Sequence, residues 1–312
     1  MKIDQLQKYI EAHLEVHLRK MLPKHSISEA YLYASLPPGK LFRPLLSAGV
    51  FLFHNPDQVN EFEDHHSAPS KLASFLELHH AYTLVHDDMP CMDDDDMRRG
   101  KPSTHKKFGE WQALLVGDGL LGASWQLLSQ IKHKDLLTYF NYATWCLGPK
   151  GLLQGQVLDL SEEMTLSFNN LIETHKLKTA RLIQASLVGG YLLSTEPNIK
   201  TAKAYHRLGE ALGISFQLLD DLTELTESLG EHEKKVNPWI WANSEAKTSL
   251  IENLNLVTKL VPKEAALLQE ILSMYFAGIG KKIGPNMDPL NQFISDEDLG
   301  PIISLLKVLG HA

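Results

Sequence analysis

Residues 87–96 read DDMPCMDDDD, six aspartates in ten positions, and RRGK follows at 98–101. Carboxylates this crowded repel one another and resist ionising together. A hard divalent cation among them removes the conflict. Magnesium takes oxygen ligands, uses one or two carboxylates, and fills its shell with water and phosphate oxygens. The arginines that follow carry planar forks suited to phosphate. Acid followed at once by base fits a site for a metal-bound phosphate or diphosphate; the competing reading is a solvated acidic loop.

A second acidic group lies in FQLLDDLTE at 216–224. On a helix, Asp220 and Glu224 share a face and Asp221 stands beside them, an arrangement unfavourable for an isolated helix. The apolar residues from Gly213 to Leu219 predict that this helix is mostly buried, with Gln217 one turn before the acids. Buried carboxylates need compensation, and a metal supplies it. Two carboxylate clusters about 130 residues apart, each on a helix, fit a clamp on one diphosphate through bridging magnesium ions.

Other polar residues form a complement. Gly39–Pro44 places Lys40 and Arg43 at a helix start, where backbone N–H groups favour anions. His80 lies about two turns before Asp87, with His79 and His86 near it; any of the three is equally readable as a packed core histidine. Gln156 and Asp159 fall on one helix face, readable also as a buried polar pair between helices. Lys178 and Thr179 precede an apolar helix. GIGKKIG at 278–284 lacks the spacing of a phosphate loop and follows no strand.

The elements that must position these residues are helical by period. Ile3, Leu6, Ile10, Leu14, Leu18 and Met21 mark one face of a first helix. Pro37, Pro38 and Gly39 end the next segment, and Lys40–Phe53 resumes a helix. Asn55–Pro69 reads as a loop, and Ser70 as the cap of a helix reaching Asp87 and Asp88. Further helices are predicted at 104–131, 135–146, 171–193, 201–225, 243–260, 263–277 and 296–309. β-Branched alternating runs are absent. The expectation is one all-α domain over residues 1–312, with the motifs at helix ends.

Composition bounds the function. The chain has 312 residues, 44% hydrophobic and 22% charged, with a net charge of −8. That charge disfavours nucleic acid as a partner. Two cysteines suggest a reducing compartment. No apolar run reaches membrane-spanning length, and the amphipathic, acid-containing first helix is unlike a signal or transit peptide. A cytoplasmic protein without stable membrane insertion is expected.

In this order and spacing the motifs resemble the trans-isoprenyl diphosphate synthases, polyprenyl synthetases whose bacterial short-chain members make farnesyl or geranylgeranyl diphosphate. Asp87–Asp93 with Arg98–Pro102 matches the first aspartate-rich motif. Gly39–Pro44, His80, Gln156 with Asp159, Lys178–Thr179 and Phe216–Asp221 match the family's remaining motifs, over roughly residues 35–240. The resemblance implies a bundle of antiparallel helices around a deep apolar cavity. It implies head-to-tail condensation of isopentenyl diphosphate with an allylic diphosphate, dimethylallyl or geranyl, with Mg2+ as cofactor and a homodimer as the assembly.

Carried over residue by residue, Asp87, Asp93 and Asp220 would bridge magnesium to the allylic diphosphate, with Asp88, Asp221 and Glu224 in support. Arg98, Lys178 and Gln217 would bind that diphosphate, and Lys40, Arg43, His80 and Arg99 would hold isopentenyl diphosphate. Lys178, Thr179 and Gln217 would serve catalysis, the oxygens of Thr179 and Gln217 steadying an allylic cation. Tyr82 and Thr83 would set chain length; the bulk of Tyr82 favours a C15 farnesyl product, with C20 and C10 next.

Three features depart from the pattern. Glu224 stands where the family usually has aspartate. The segment Glu231–Pro238 is short and altered, with Lys234 and Lys235 as candidate replacements for the family's lysines. The last residues, LLKVLGHA, carry no basic cluster. The alternative to an active prenyltransferase is therefore a non-catalytic or impaired homologue that regulates an active synthase.

Overall fold

The computed structural model of the chain describes all residues except 195, 227–228, 284–289, 291 and 311–312, and excludes the side chains of 231–233 and 296. Gly284 of the GIGKKIG segment and His311–Ala312 of the C-terminus thus lie outside the described residues. The described chain is all-α apart from one two-residue hairpin. It forms two compact units, residues 1–140 with 189–196, and residues 141–188 with 197–310.

The first unit begins with α1 (Ile3–Met21), whose predicted apolar face is realised: Ile3, Leu6, Ile10, Leu14 and Leu18 are buried. Asp4 in its first turn and Arg19 and Lys20 in its last complement the helix dipole. A short α2 (Ser28–Ser35) follows. Then α3 (Phe42–His54) starts two residues later than the period predicts, because Leu41 takes a left-handed conformation, φ 55°, and stops the helix from extending back to Lys40. The predicted loop at 55–69 instead contains a 3-10 helix, Pro56–Glu63. α4 (Ala68–Asp87) is capped by Ser67, whose Oγ accepts from Ser70 N at 3.3 Å. Ser70 is thus the capped residue and not the cap, since Pro69 already fits the first helical turn.

α4 is buried along most of its length and packs on α1, α3 and α6 (Glu110–Ser129). The single helix expected over 104–131 is two, α5 (Thr104–Phe108) and α6, because Gly109 turns the chain at φ 100°. Between α4 and α5 lies a hairpin, β1 (Met97–Arg98) and β2 (Lys101–Pro102), absent from the sequence expectation. Its central residues Arg99 and Gly100 both have positive φ, 53° and 75°, the backbone that a tight two-residue hairpin requires.

In the second unit, α8 (Leu152–Leu160) follows α7 (Leu136–Leu147), within which the boundary of the units falls. The predicted helix 171–193 is a continuous helical run: α9 (Phe168–His175), a π-helical turn over Lys176–Ala180, and α10 (Arg181–Leu192). α11 (Ile199–Glu224) is the long helix of this unit, capped by Asn198 Oδ1, which accepts from Thr201 N at 3.0 Å. After it come α12 (Glu231–Val236), α13 (Pro238–Trp241), α14 (Asn243–Leu260), α15 (Ala266–Ile283) and α16 (Asp296–Gly310). Leu250, Leu254 and Val257 form the buried stripe of α14, which packs on α11.

Candidate active site

The first aspartate motif is shaped by the end of α4. Asp87 closes the helix, and the chain turns through Met89 N to His86 O, Met92 N to Met89 O, and Asp93 N to Asp87 O at 2.9 Å. This last bond returns Asp93 to Asp87 across the five-residue spacer. Both aspartates therefore stand at the carbonyl end of a 20-residue helix, where the dipole disfavours negative charge and favours a cation. Carboxylates are hard oxygen donors of the kind that magnesium takes.

Asp88 behaves differently. Only 2% exposed, it accepts from Arg98 Nε at 2.7 Å and from Arg98 Nη2, while Nη2 also reaches Asp95 Oδ2 at 2.6 Å. Burial pushes the Asp88 carboxyl above its ordinary range, and Arg98 pulls it back down. Its role in this geometry is to hold Arg98. Asp96 pairs with Lys106 at 2.7 Å, an assignment that the sequence alone does not reveal.

The hairpin separates its two arginines. Arg98, on β1, turns to Asp88, whereas Arg99, at the turn, lies 3.8 Å from Glu77 Oε1 and beside Gly39. A Cβ built on Gly39 would sit 3.0 Å from Arg99 Nη2, so glycine there lets the guanidinium approach the chain. Arg43 lies in the first turn of α3, and its Nη1 is 3.1 Å from His80 Nε2. A guanidinium can only donate, so Nε2 accepts and the ring proton sits on Nδ1. Burial, followed by the charge of Arg43, holds His80 well below its ordinary pKa, consistent with a neutral acceptor. Arg43, His80 and Arg99 are thus gathered in one unit, with Lys40 two residues before the start of α3.

The other two histidines are structural. His79 is fully buried, 3.3 Å from Ser124 Oγ, and burial lowers its pKa to about 3. His86 Nε2 lies 3.2 Å from Leu114 O. Tyr82 is buried in the core formed with Leu78, Ala81, Ala113, Val116 and Leu120, its hydroxyl pKa raised to about 12 by burial. Thr83 donates to His80 O at 2.8 Å.

In the second unit, Lys178 and Thr179 fall within the π-helical turn, a feature that often marks a functional site. Lys178 Nζ donates to Asp159 Oδ2. Gly155, on α8, makes this approach possible: a Cβ there would lie 2.2 Å from Lys178 N. Thr179 Oγ1 donates to Gln217 Oε1 at 3.1 Å, and Gln217 Nε2 to Asp221 Oδ1 at 3.3 Å. His175 Nε2 lies 3.4 Å from Asp221 Oδ2. The acidic triplet is therefore divided. Asp221 is buried and held within this network, Glu224 is half-buried, and Asp220 is exposed on the helix surface. The predicted buried triplet holds for one member, because residues 220 and 221 point about 100° apart on a helix.

Sequence reasoning assigned no role to His175, Asn237 or Glu77. Asn237 Nδ2 donates to Asp221 O at 2.7 Å, and its Oδ1 caps α13 by accepting from Trp239 N at 3.1 Å. It fastens the altered segment to the second motif; an Asn-Pro pair opening a helix is the sequence signal. Of the two candidate lysines in that segment, Lys235 pairs with Glu162.

No helix among the described residues is long and apolar enough to cross a membrane. Residues 24–273 match the polyprenyl synthetase family. The chain is 33% identical over 238 residues to the farnesyl diphosphate synthase of Bacillus subtilis (strain 168), covering 74% of this chain and 77% of that protein. It is 32% identical over 254 residues to the chloroplastic geranylgeranyl pyrophosphate synthase 12 of Arabidopsis thaliana, covering 77% and 68%. The geranyltransferase of Helicobacter pylori complexed with magnesium and isoprenyl diphosphate superposes with a TM-score of 0.70 at 29% identity, covering 88% of this chain and 98% of that structure.

Proposed function

Because the chain belongs to the polyprenyl synthetase family, we propose that it is an active, magnesium-dependent prenyltransferase. It would condense isopentenyl diphosphate with dimethylallyl or geranyl diphosphate to a short-chain product, favoured as C15 farnesyl diphosphate. The turn that returns Asp93 to Asp87 beside the arginine hairpin carries the reading. These are the acid and base that a diphosphate leaving group needs, and both are intact.

Asp87 and Asp93 of the first unit would hold magnesium, and so would Asp220 and Glu224 of the second; when bound, the metal neutralises the departing diphosphate. The residues of the chain do the rest. Arg98 and Lys178 grip the allylic diphosphate by charge-assisted hydrogen bonds. Arg43, Arg99 and Lys40 hold the second diphosphate. The oxygens of Thr179 and Gln217 face positive charge developing on the allyl group, a preorganised electrostatic effect of about 3 kcal/mol at most for each group. Tyr82 limits the length of the growing chain.

An exposed apolar stripe on α6, Trp111, Leu114 and Leu115, supports a homodimer. Two free cysteines fit a cytoplasmic setting.

Incubation of the purified chain with isopentenyl diphosphate, each allylic primer and magnesium, with chromatographic sizing of the products, tests the reading. A C15 main product is expected. No elongation from any primer would refute it.

A further inference from the structure

Glu77 lies on α4, three residues before His80 and on the same face. It is only 4% exposed, and a carboxylate so placed is costly unless it is paired. Its surroundings are basic. Arg99 Nη2 lies 3.8 Å from Oε1, Arg43 acts on it electrostatically, and the backbone N–H of Gly39 donates to it. Burial pushes its carboxyl up, and Arg99, then Arg43, draw it back.

The three groups come from separate segments: Gly39 from the chain before α3, Arg43 from α3, and Arg99 from the hairpin turn. Arg99 holds a left-handed backbone, φ 53°, at the turn of the hairpin. That turn directs the Arg99 guanidinium to Glu77, a buried carboxylate.

We infer that Glu77 is a positioning residue, the shared anchor that fixes the Gly39 backbone, Arg43 and Arg99 as one subsite for the diphosphate of isopentenyl diphosphate. The inference rests on the prenyltransferase reading. It requires no contact between Glu77 and the substrate: the carboxylate would repel it, and acts by aiming the two arginines.

Glu77→Gln keeps the shape and removes the charge. In steady-state elongation by the full chain, KM for isopentenyl diphosphate should rise about tenfold or more, the scale of one lost charged hydrogen bond. KM for the allylic primer should stay within about twofold, and Glu77→Asp should recover part of the loss. A structural role alone would lower kcat or stability without this split. An unchanged KM for isopentenyl diphosphate, or an equal rise in both KM values, overturns the inference.

Gly39→Ala supplies a second arm with Glu77 intact. Its methyl would press on the Arg99 guanidinium and should produce the same split, so this variant decides the matter if Glu77→Gln does not fold. Calorimetric titration of isopentenyl diphosphate separates the two readings. A wild-type chain that binds it but elongates nothing refutes the prenyltransferase reading, while the Kd ratio between wild type and Glu77→Gln still tests Glu77. No binding by the wild type overturns both.

Discussion

Acidification should loosen the docking of α1, and His17 allows the size of the effect to be worked out. The ring is 5% exposed, with Nδ1 2.9 Å from Ser74 Oγ and Nε2 2.7 Å from His65 O. A carbonyl only accepts, so Nε2 carries the proton and Nδ1 accepts from the serine hydroxyl. Protonating Nδ1 would reverse that bond, Ser74 Oγ then accepting, and would place a charge inside the core. Burial, partly offset by the bond to His65 O, lowers the pKa from 6.5 to about 4. His13 and Lys20 from α1 and His65 from the turn before α4 act on it directly, while His66, Asp64 and Lys71 act on His65.

The unfolded chain takes up a proton on His17 below about pH 6.5 and the folded chain only near 4, so stability falls as pH drops through that window. Fully developed, the loss is about 3 kcal/mol, of which about 2 kcal/mol falls between pH 7 and pH 5. His17→Gln keeps an amide N–H for the carbonyl and cannot titrate. Urea unfolding followed by circular dichroism at both pH values should show the wild type losing about 2 kcal/mol more than this variant on acidification. Equal losses in the two proteins would refute the reasoning.

Three further outcomes are expected. Asp87→Ala should lower elongation by about a thousandfold or more while the helical circular-dichroism signal stays near wild type; a variant that keeps its rate would remove the metal assignment. Tyr82→Ala should cost about 3–5 kcal/mol of stability and shift the chromatographic product profile toward C20, and an unchanged product would show that this ring does not set the length. Gly155→Ala must displace backbone at Leu177 and Lys178; it should lower kcat with little change in KM for isopentenyl diphosphate, and wild-type kcat would show that the π-helical turn tolerates movement.

Period carried most of the architecture. The stripe of α1 and the bounds of α14 follow from apolar spacing alone, because each helix buries one face against a neighbour. What period could not show was where a helix breaks without a change in apolar spacing. The split at Gly109 and the delayed start at Leu41 are backbone events, and the Leu41 conformation has no residue-type signal. The π-helical turn at Lys176–Ala180 was equally hidden, since one extra residue in a turn leaves the surrounding pattern readable as a helix. Among candidate site residues, charge and order picked out Asp87, Asp93, Arg43 and Arg99. Glu77 escaped because a single acid within an apolar helix carries no motif, and only the fold brings two arginines to it.

The pairing of acids with bases also explains why the run holds more aspartates than a metal needs. Diphosphate-binding cations placed side by side repel each other and lose entropy on being fixed. Here several of the cations proposed for that role have a carboxylate beside them: Asp88 and Asp95 for Arg98, Glu77 for Arg99, Asp159 for Lys178. Arg98 and Lys178 remain 34% and 28% exposed. A guanidinium has five N–H donors, more than Asp88 and Asp95 engage, so an anion adds an acceptor without evicting the first. On the proposed function the aspartate run would be two devices in one stretch: Asp87 and Asp93 to receive a cation, and Asp88 and Asp95, which already hold Arg98, to aim it. This division predicts opposite signatures for the two halves. Replacing Asp87 should weaken the dependence of rate on magnesium concentration, whereas Asp88→Asn should leave that dependence unchanged and raise KM for the allylic diphosphate.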